Sequence, residues 1–176
     1  MKRIATAALL MGIVAMASAC GSSSPTAPST TALPSSYTFT ASLLPANEVP
    51  AVTNNEAAGT GTVTVTMAVT RDSASSITAA TATFNVVLSG FPTGTTLTGA
   101  HIHQAGPGLT AGVIVNTGLA SGEVVLTNGT ANFTKSSINV AVDVANNLII
   151  GSNGFYFNVH STTNTGGVAR GQLVKQ

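Results

Sequence analysis

The chain has 176 residues, enough for one domain of ordinary size and a targeting segment. Only 6% of the residues are charged and the formal net charge is +1, so the basic surface that holds a nucleic acid backbone is missing and nucleic acid is excluded as a partner. The chain is rich in Thr, Val, Ala and Gly, a composition that favours strands and tight turns over long helices.

The start of the chain has the order of a secretory signal. Lys2 and Arg3 are followed by an apolar run from Ile4 to Met16, and small residues end the segment at Ala19. This run is shorter than the roughly 20 apolar residues that a transmembrane helix needs. The pattern predicts a signal peptide at residues 1–19 and export from the cytoplasm.

Cys20, the single cysteine of the chain, directly follows the expected cleavage point. A cysteine in this position resembles the lipidation site of bacterial lipoproteins, so we expect Cys20 to carry a lipid that anchors the protein to a membrane. Residues 20–36 are rich in Ser, Thr and Pro, which predicts a disordered tether behind the anchor. We therefore expect an extracytoplasmic protein at an outer membrane or cell surface, and the alternative is ordinary secretion as a soluble protein.

Residues 37–176 form the predicted domain, in which apolar residues recur with a period of two. Three alternating runs come first: Tyr37 to Leu43, Val63 to Val69 and Ala82 to Leu88. Alternation of this kind buries one face of each strand, and short runs bounded by Gly, Pro and Asn are typical of antiparallel sheets. We therefore predict an all-β domain, an antiparallel Greek-key-type sandwich or barrel of about eight strands.

Shorter strands are predicted in the second half of the domain. They comprise four single runs and the two arms of a hairpin: Leu97 to His103, Val113 to Asn116, Phe155 to Ser161, Val168 to Val174, and Glu123–Thr127 with Thr130–Thr134. Asn128-Gly129 joins the hairpin arms, and this pair is a two-residue turn signal because both residues tolerate positive φ. Between Ser137 and Ile150 the pattern fits either one short helix near residues 138–148 or a broken strand.

All three histidines of the chain lie in two of the predicted strands. His101 and His103 are two positions apart, so a strand turns both to one side and Ile102 to the other. His160, in a later strand, would complete a set of three imidazoles around one open metal site. Three nitrogen ligands without a thiolate suit copper or zinc. In the alternative interpretation, the pair only hydrogen-bonds loop carbonyls on a polar sheet face.

Several short stretches of the domain share a pattern in chain order: Leu44–Pro50, Gly99–His103 with Gly106–Gly108, Gly112–Val115, Phe155–His160 and Gly166–Leu173. They span nearly the whole domain and resemble the successive signatures of the CHRD domain, a family named for chordin. The resemblance implies a β-sandwich outside the cytoplasm. It assigns no biochemical activity.

Two of these stretches are also similar, more distantly, to copper-zinc superoxide dismutase. By that resemblance His101, His103 and His160 occupy positions of copper ligands, and Arg170 that of an arginine that guides anions. The chain has three histidines and one cysteine, so the second metal site of that family and its disulfide have no counterparts. The resemblance therefore implies a reduced, one-metal site on a related sandwich.

Glu48 and Arg170 are the candidate supporting residues. Glu48, one of five acidic residues, lies in a proline-containing segment. It would either orient a histidine through a hydrogen bond or accept bonds from the amides of its own turn. Arg170 lies in a stretch with glycines before and after it, Gly166–Gly171, and would either meet a ligand or hold a loop by donating to its carbonyls.

Two functions stay open on the sequence. The first is a lipid-anchored extracytoplasmic module that binds a protein or matrix partner without catalysis. The alternative is a protein that binds one copper or zinc ion through His101, His103 and His160, with redox chemistry at an open coordination position. The sequence contains no nucleotide-binding, phosphate-loop or hydrolase motif. The sequence leaves enzyme activity undecided and favours a non-catalytic role. It assigns no cofactor with certainty.

Overall fold

The three alternating runs at the start of the domain form an antiparallel meander. The computed structural model of the chain describes residues 32–176, and the meander has the strands β1 (Ser36–Leu43), β2 (Thr60–Arg71) and β3 (Ile77–Ser89). β2 pairs with β3 along its whole length and with β1 from Gly61 to Ala68. Phe39, Val65 and Phe84 are buried in these strands because successive side chains of a strand point to opposite faces.

Six further strands complete two antiparallel sheets. They are β4 (Leu97–His103), β5 (Val113–Asn116), β6 (Ala131–Val140), β7 (Tyr156–Ser161), β8 (Ala169–Gln172) and β9 (Val174–Lys175). The five-stranded sheet has the order β6-β3-β2-β1-β9, and the four-stranded sheet has the order β5-β4-β7-β8. The last strand, β9, lies beside β1 of the meander at one edge of the five-stranded sheet.

The hydrophobic core lies between the two sheets. Phe84 of β3 and Phe157 of β7 stack across it with ring centroids 5.8 Å apart, and both side chains are fully buried. Burying an aromatic side chain of this size stabilises the fold by about 1.5–3 kcal/mol. The predicted all-β antiparallel sandwich is confirmed, and over residues 32–176 it consists of two separate sheets rather than a closed barrel.

The predicted hairpin is confirmed at its turn but not in its first arm. Asn128 and Gly129 have φ values of 51° and 72°, and Thr127 and Thr130 exchange two backbone hydrogen bonds around them. The arm predicted at Glu123–Thr127 is not a strand. Its backbone groups bond partly to the segment that leads into β4 and partly across the turn, so no continuous ladder forms.

The ambiguous segment Ser137–Ile150 contains a strand end and a helix in succession. β6 continues to Val140, and helix α1 spans Val142–Gly151 with Ala145 and Leu148 buried. The short helix predicted near residues 138–148 is therefore present, a few residues further along the chain.

The run Val168–Val174, predicted as one strand, forms the two short strands β8 and β9. Leu173 separates them: its side chain is fully buried, and its amide donates to the carbonyl of Phe155. The described residues therefore hold nine strands where about eight were predicted.

The predicted signal peptide, Cys20 and most of the predicted tether lie outside the described residues. Leu33–Gln176 forms one compact unit. Within residues 32–176, none of the helices combines the length and the apolar character required to span a bilayer.

Candidate metal site

The three histidines lie on the outer face of the four-stranded sheet. In β4 the side chain of Ile102 is buried in the core, so His101 and His103 point away from the core, as their spacing predicts. In β7 Val159 is fully buried, which turns His160 to the outer face as well. β4 and β7 are paired, so all three imidazoles lie on adjacent strands.

The histidine cluster consists of His101, His103 and His160, whose nitrogen ligand atoms all lie within 4.8 Å of one another. Nδ1 of His101 is 3.1 Å from Nε2 of His160. Gly99 of β4 lies opposite His160 and leaves room for this approach, because a Cβ there would be only 3.0 Å from Cε1 of His101. The structure brings the three predicted residues together, and metal binding itself stays a prediction.

Two of the rings are held by loop carbonyls. Nδ1 of His103 donates to the carbonyl oxygen of Ala111 at 2.8 Å, and Nδ1 of His160 donates to that of Thr165 at 2.9 Å. A carbonyl oxygen only accepts hydrogen bonds, so each Nδ1 carries the proton and each Nε2 keeps a free lone pair. Metal-binding histidines usually have their second nitrogen oriented in this way.

Asn158 completes the cluster, and the sequence analysis did not identify it. Its Oδ1 atom lies 3.0 Å from Nε2 of His103 and 3.2 Å from Nε2 of His160, and its side chain is buried. The sequence carried a signal: Asn158 is two residues before His160 in one strand, so both share a face. Because the two ends of an amide have nearly the same shape, Asn158 can turn its NH₂ group toward the free imidazole nitrogens.

The surroundings of the cluster favour the neutral form of His101 and His160. Burial, together with charge repulsion from the neighbouring His160 and His103, lowers the pKa of His101 to about 4. Burial also lowers the pKa of His160, although the hydrogen bond to Thr165 acts in the opposite direction. Neutral imidazole is the form that binds metal ions, so two of the three rings are already in this form at neutral pH.

Arg170 reaches the cluster through Tyr156, a further residue that the sequence analysis missed. The ring of Tyr156 stacks on that of His103 with centroids 4.7 Å apart, and the guanidinium carbon of Arg170 lies 3.7 Å from the centroid of Tyr156. Nη2 of Arg170 donates to the carbonyl oxygen of Leu109 at 3.0 Å. Of the two roles considered for Arg170, the structure shows the bond to a loop carbonyl.

Glu48 is not among the hydrogen-bond partners of the histidines. Its side chain is buried, and its Oε1 atom has no hydrogen-bond partner within residues 32–176. Burial raises the pKa of Glu48 to about 7, while the charge of Arg170 lowers it. The sequence suggested two roles for Glu48, a bond to a histidine or a bond to an amide of its own turn. Oε1 of Glu48 shows neither of them.

A family model described as the CHRD domain matches residues 39–173. The matched part begins in β1 and ends directly before β9, and it contains the three histidines and every residue that supports them. No curated protein and no solved structure matches the chain. The resemblance to copper-zinc superoxide dismutase therefore stays a prediction.

Proposed function

This chain belongs to the CHRD domain family, and from that premise we propose that its domain binds one copper(II) or zinc(II) ion through the histidine cluster. The observation that carries the proposal is the position of the three ligand nitrogens, which lie within 4.8 Å of one another on one sheet face. The ligands are Nδ1 of His101 and the Nε2 atoms of His103 and His160, since these are the nitrogens that face one another.

The separations fit one ion. Zinc–nitrogen bonds of about 2.0–2.1 Å place two ligands of a tetrahedral site roughly 3.3 Å apart. Nδ1 of His101 and Nε2 of His160 are already 3.1 Å apart. The third nitrogen, on His103, has to approach only by a small side-chain rotation, because it already lies within 4.8 Å of the others.

The chemistry of the donor set decides the metal class. Three neutral nitrogens without a thiolate or carboxylate favour zinc(II) or copper(II) over magnesium or calcium, which prefer oxygen ligands. His101 and His160 are partly exposed, so a fourth coordination position is open to water or another small ligand. With copper this position would permit redox chemistry, as the sequence interpretation expected.

The test is metal loading followed by elemental analysis. The protein is incubated with zinc or copper, passed through a desalting column and analysed, and we expect one ion per chain. A triple variant with His101→Ala, His103→Ala and His160→Ala should retain none, whereas Lys135→Ala, an exchange that leaves the cluster intact, should retain one. Circular dichroism checks that all proteins are folded. Equal retention by the triple variant and the parent would contradict the proposal.

We also propose that the protein is extracytoplasmic and lipid-anchored. The order of basic residues, apolar run, small residues and Cys20 supports this placement. Mass spectrometry of the mature N-terminus should find a diacylglyceryl group on Cys20, and an unmodified cysteine on a soluble product would contradict the anchor. Binding of a protein or matrix partner, the non-catalytic role that the sequence favoured, stays a prediction and does not exclude a bound metal ion.

A further inference from the structure

Three side chains form a stack on the outer face of the four-stranded sheet. The ring of Tyr156 is nearly parallel to that of His103, at an angle of 10° with centroids 4.7 Å apart, and the guanidinium carbon of Arg170 lies 3.7 Å from the centroid of the Tyr156 ring. His103 and Tyr156 are directly opposite each other in the pairing of β4 with β7, and Arg170 comes from the next strand, β8. We call these residues the Arg–Tyr–His stack.

The Arg–Tyr–His stack is almost completely closed to water. His103, Tyr156 and Arg170 are 6%, 3% and 2% exposed, although they lie on the outer face and not in the core between the sheets. Burying a guanidinium costs free energy even when it has partners, here a ring face and a carbonyl. An apolar side chain would fill the same space without that cost, so the arginine calls for a reason beyond packing.

One loop binds both ends of the stack. The carbonyl oxygen of Leu109 accepts a hydrogen bond from Nη2 of Arg170 at 3.0 Å, and the carbonyl oxygen of Ala111, two residues later in the β4–β5 loop, accepts one from Nδ1 of His103 at 2.8 Å. The ring of His103 therefore cannot tilt without breaking a hydrogen bond or parting from Tyr156. A pivot about the Nδ1 hydrogen bond keeps the stack intact, because it moves Nε2 within the plane of the ring.

The other two histidines of the cluster lack such a support. Within residues 32–176, the ring contacts of His101 and His160 are edge-on and involve only the histidines themselves. His160 is bonded to one loop carbonyl, that of Thr165, and Nδ1 of His101 is bonded to Nε2 of His160. Of the three proposed ligands, His103 is thus the one whose ring plane is fixed by its surroundings.

We propose that Tyr156 and Arg170 are positioning residues for the metal ligand His103, an inference that rests on the metal site proposed above. Tyr156 sets the plane of the imidazole, and Arg170 holds Tyr156 against it. A planar guanidinium suits this task better than an ammonium group, because it stacks on a ring and still donates to a carbonyl at its edge. The stack orders His103 before the ion arrives, and a preordered ligand binds more tightly.

The charge of Arg170 gives this proposal a test of sign. A buried cation repels a divalent ion, so if Arg170 acted only through its charge, the neutral variant Arg170→Met would bind zinc more tightly than the parent. A positioning role predicts the opposite, weaker binding by Arg170→Met. Arg170→Lys keeps the charge but not the planar group and should also bind zinc more weakly.

The main experiment compares two variants of Tyr156. Tyr156→Phe keeps the ring and should bind zinc like the parent, whereas Tyr156→Leu loses the ring and should bind it about 10–100-fold more weakly, as measured by competition with a chelator. The electron paramagnetic resonance spectrum of the copper-loaded protein should be unchanged in Tyr156→Phe and altered in Tyr156→Leu. Affinity equal to the parent's in Tyr156→Leu, equal losses in both variants, or tighter binding by Arg170→Met would overturn the proposal.

The matched control is Tyr37→Leu. Tyr37 belongs to a second tyrosine–arginine pair, on the five-stranded sheet, in which Nη2 of Arg71 donates to the Tyr37 hydroxyl at 2.8 Å. Its loss should leave the affinity for zinc unchanged. Circular dichroism checks that every variant is folded, and if Tyr156→Leu is not, Arg170→Lys decides, with affinity equal to the parent's overturning the proposal.

A measurement without metal separates this inference from the metal proposal. Nitrogen-15 NMR of the metal-free parent should show His103 with its proton on Nδ1 alone, and Tyr156→Leu should show a mixture of tautomers. A parent that binds no ion would contradict the metal proposal. A parent that binds zinc, with the same affinity and the same His103 tautomer in Tyr156→Leu, would contradict the positioning role alone.

Discussion

The outer faces of the two sheets differ in composition and in burial. In β2 of the five-stranded sheet the outer face is a row of exposed or half-exposed threonines: Thr62, Thr64 and Thr66. In the four-stranded sheet the outer face contains larger polar groups that are each at most 6% exposed: His103, Tyr156, Asn158 and Arg170. Both faces are polar, but only the second buries these polar side chains away from water.

Loops account for the difference. The β4–β5 loop supplies the carbonyls of Leu109 and Ala111, which bond Arg170 and His103, and the β7–β8 loop supplies the carbonyl of Thr165, which bonds His160. Burying polar side chains is tolerable only when they are hydrogen-bonded, and these carbonyls provide the partners. The face carrying the histidines therefore has its polar side chains fixed by loop carbonyls, whereas the threonine face is an ordinary solvated surface.

The largest expected effect comes from removing one ligand. His101→Ala should lower the affinity for zinc more than about 100-fold, because losing a ligand costs more than losing a group behind it. Thr64→Ala, on the other outer face, should leave the affinity unchanged. Competition with a chromogenic chelator measures both, and equal affinities for the two variants would remove the distinction between the faces.

Asn158→Ala tests the residue that lies between two of the proposed ligands, His103 and His160. Its amide is 3.0 Å from Nε2 of His103 and 3.2 Å from Nε2 of His160, so its loss should lower the affinity for zinc by about 10–100-fold. Asn85→Ala is the matched control, since Asn85 bonds Thr134 on the five-stranded sheet. If Asn158→Ala binds zinc as tightly as the control does, the amide has no part in the site.

A smaller effect is expected from Gly99→Ala. The added Cβ would lie 3.0 Å from Cε1 of His101 and would displace that ring from His160. We expect the affinity for zinc to fall by about tenfold, the lower end of the range for groups that orient a ligand. Gly154→Ala, whose Cβ would meet nothing within 4 Å, serves as the control. A wild-type affinity in Gly99→Ala would show that the close fit beside Gly99 is unimportant.

The smallest effect concerns the acid stability of the metal-free protein. The pKa of His101 is lowered from 6.5 to about 4, so between these values the unfolded chain binds the proton and the folded protein does not. The contribution of His101 to the free energy of unfolding is therefore fully present above pH 6.5 and is lost as the pH falls toward 4. Denaturation at several pH values measures it, and imidazole NMR should show a neutral His101 at pH 5.5.

The titration of Glu48 changes the stability with pH in the direction opposite to that of His101, so Glu48 needs its own control. Its pKa is raised from 4.5 to about 7, so its stabilisation is present below pH 4.5 and is lost as the pH rises through 7. The series should therefore be recorded in Glu48→Gln as well. A protonated His101 at pH 5.5 would show that the histidine face is more open to water than its burial indicates.

The sequence predicted most reliably those features that depend on the alternation of side chains within a single strand. The alternation in β1, β2 and β3 and the shared side of His101 and His103 follow from the period of two. The same rule would have added Asn158, two positions before His160. It does not give the pairing of β7 with β8 that places Arg170 opposite Asn158, nor the loop carbonyls that bury the face, because these contacts depend on tertiary structure.

The strand predicted at Glu123–Thr127 is absent for the same reason, because strand pairing depends on tertiary structure. Its alternation is typical of a strand, but hydrogen bonds go to whichever neighbour the fold provides, and here two different segments share them. The turn at Asn128-Gly129 was predictable because its geometry is set by the two residues themselves. The turn signal was therefore reliable, whereas the alternating pattern did not decide whether the segment pairs as a strand.

The most direct test of the account is a crystal of the protein soaked with zinc and measured at the zinc absorption edge. We predict one anomalous peak about 2.0–2.1 Å from Nδ1 of His101 and from the Nε2 atoms of His103 and His160, on the outer face of the four-stranded sheet. A peak bound by other residues, or a fully soaked crystal without a peak among these three rings, would contradict the claim that the histidine cluster is a metal site.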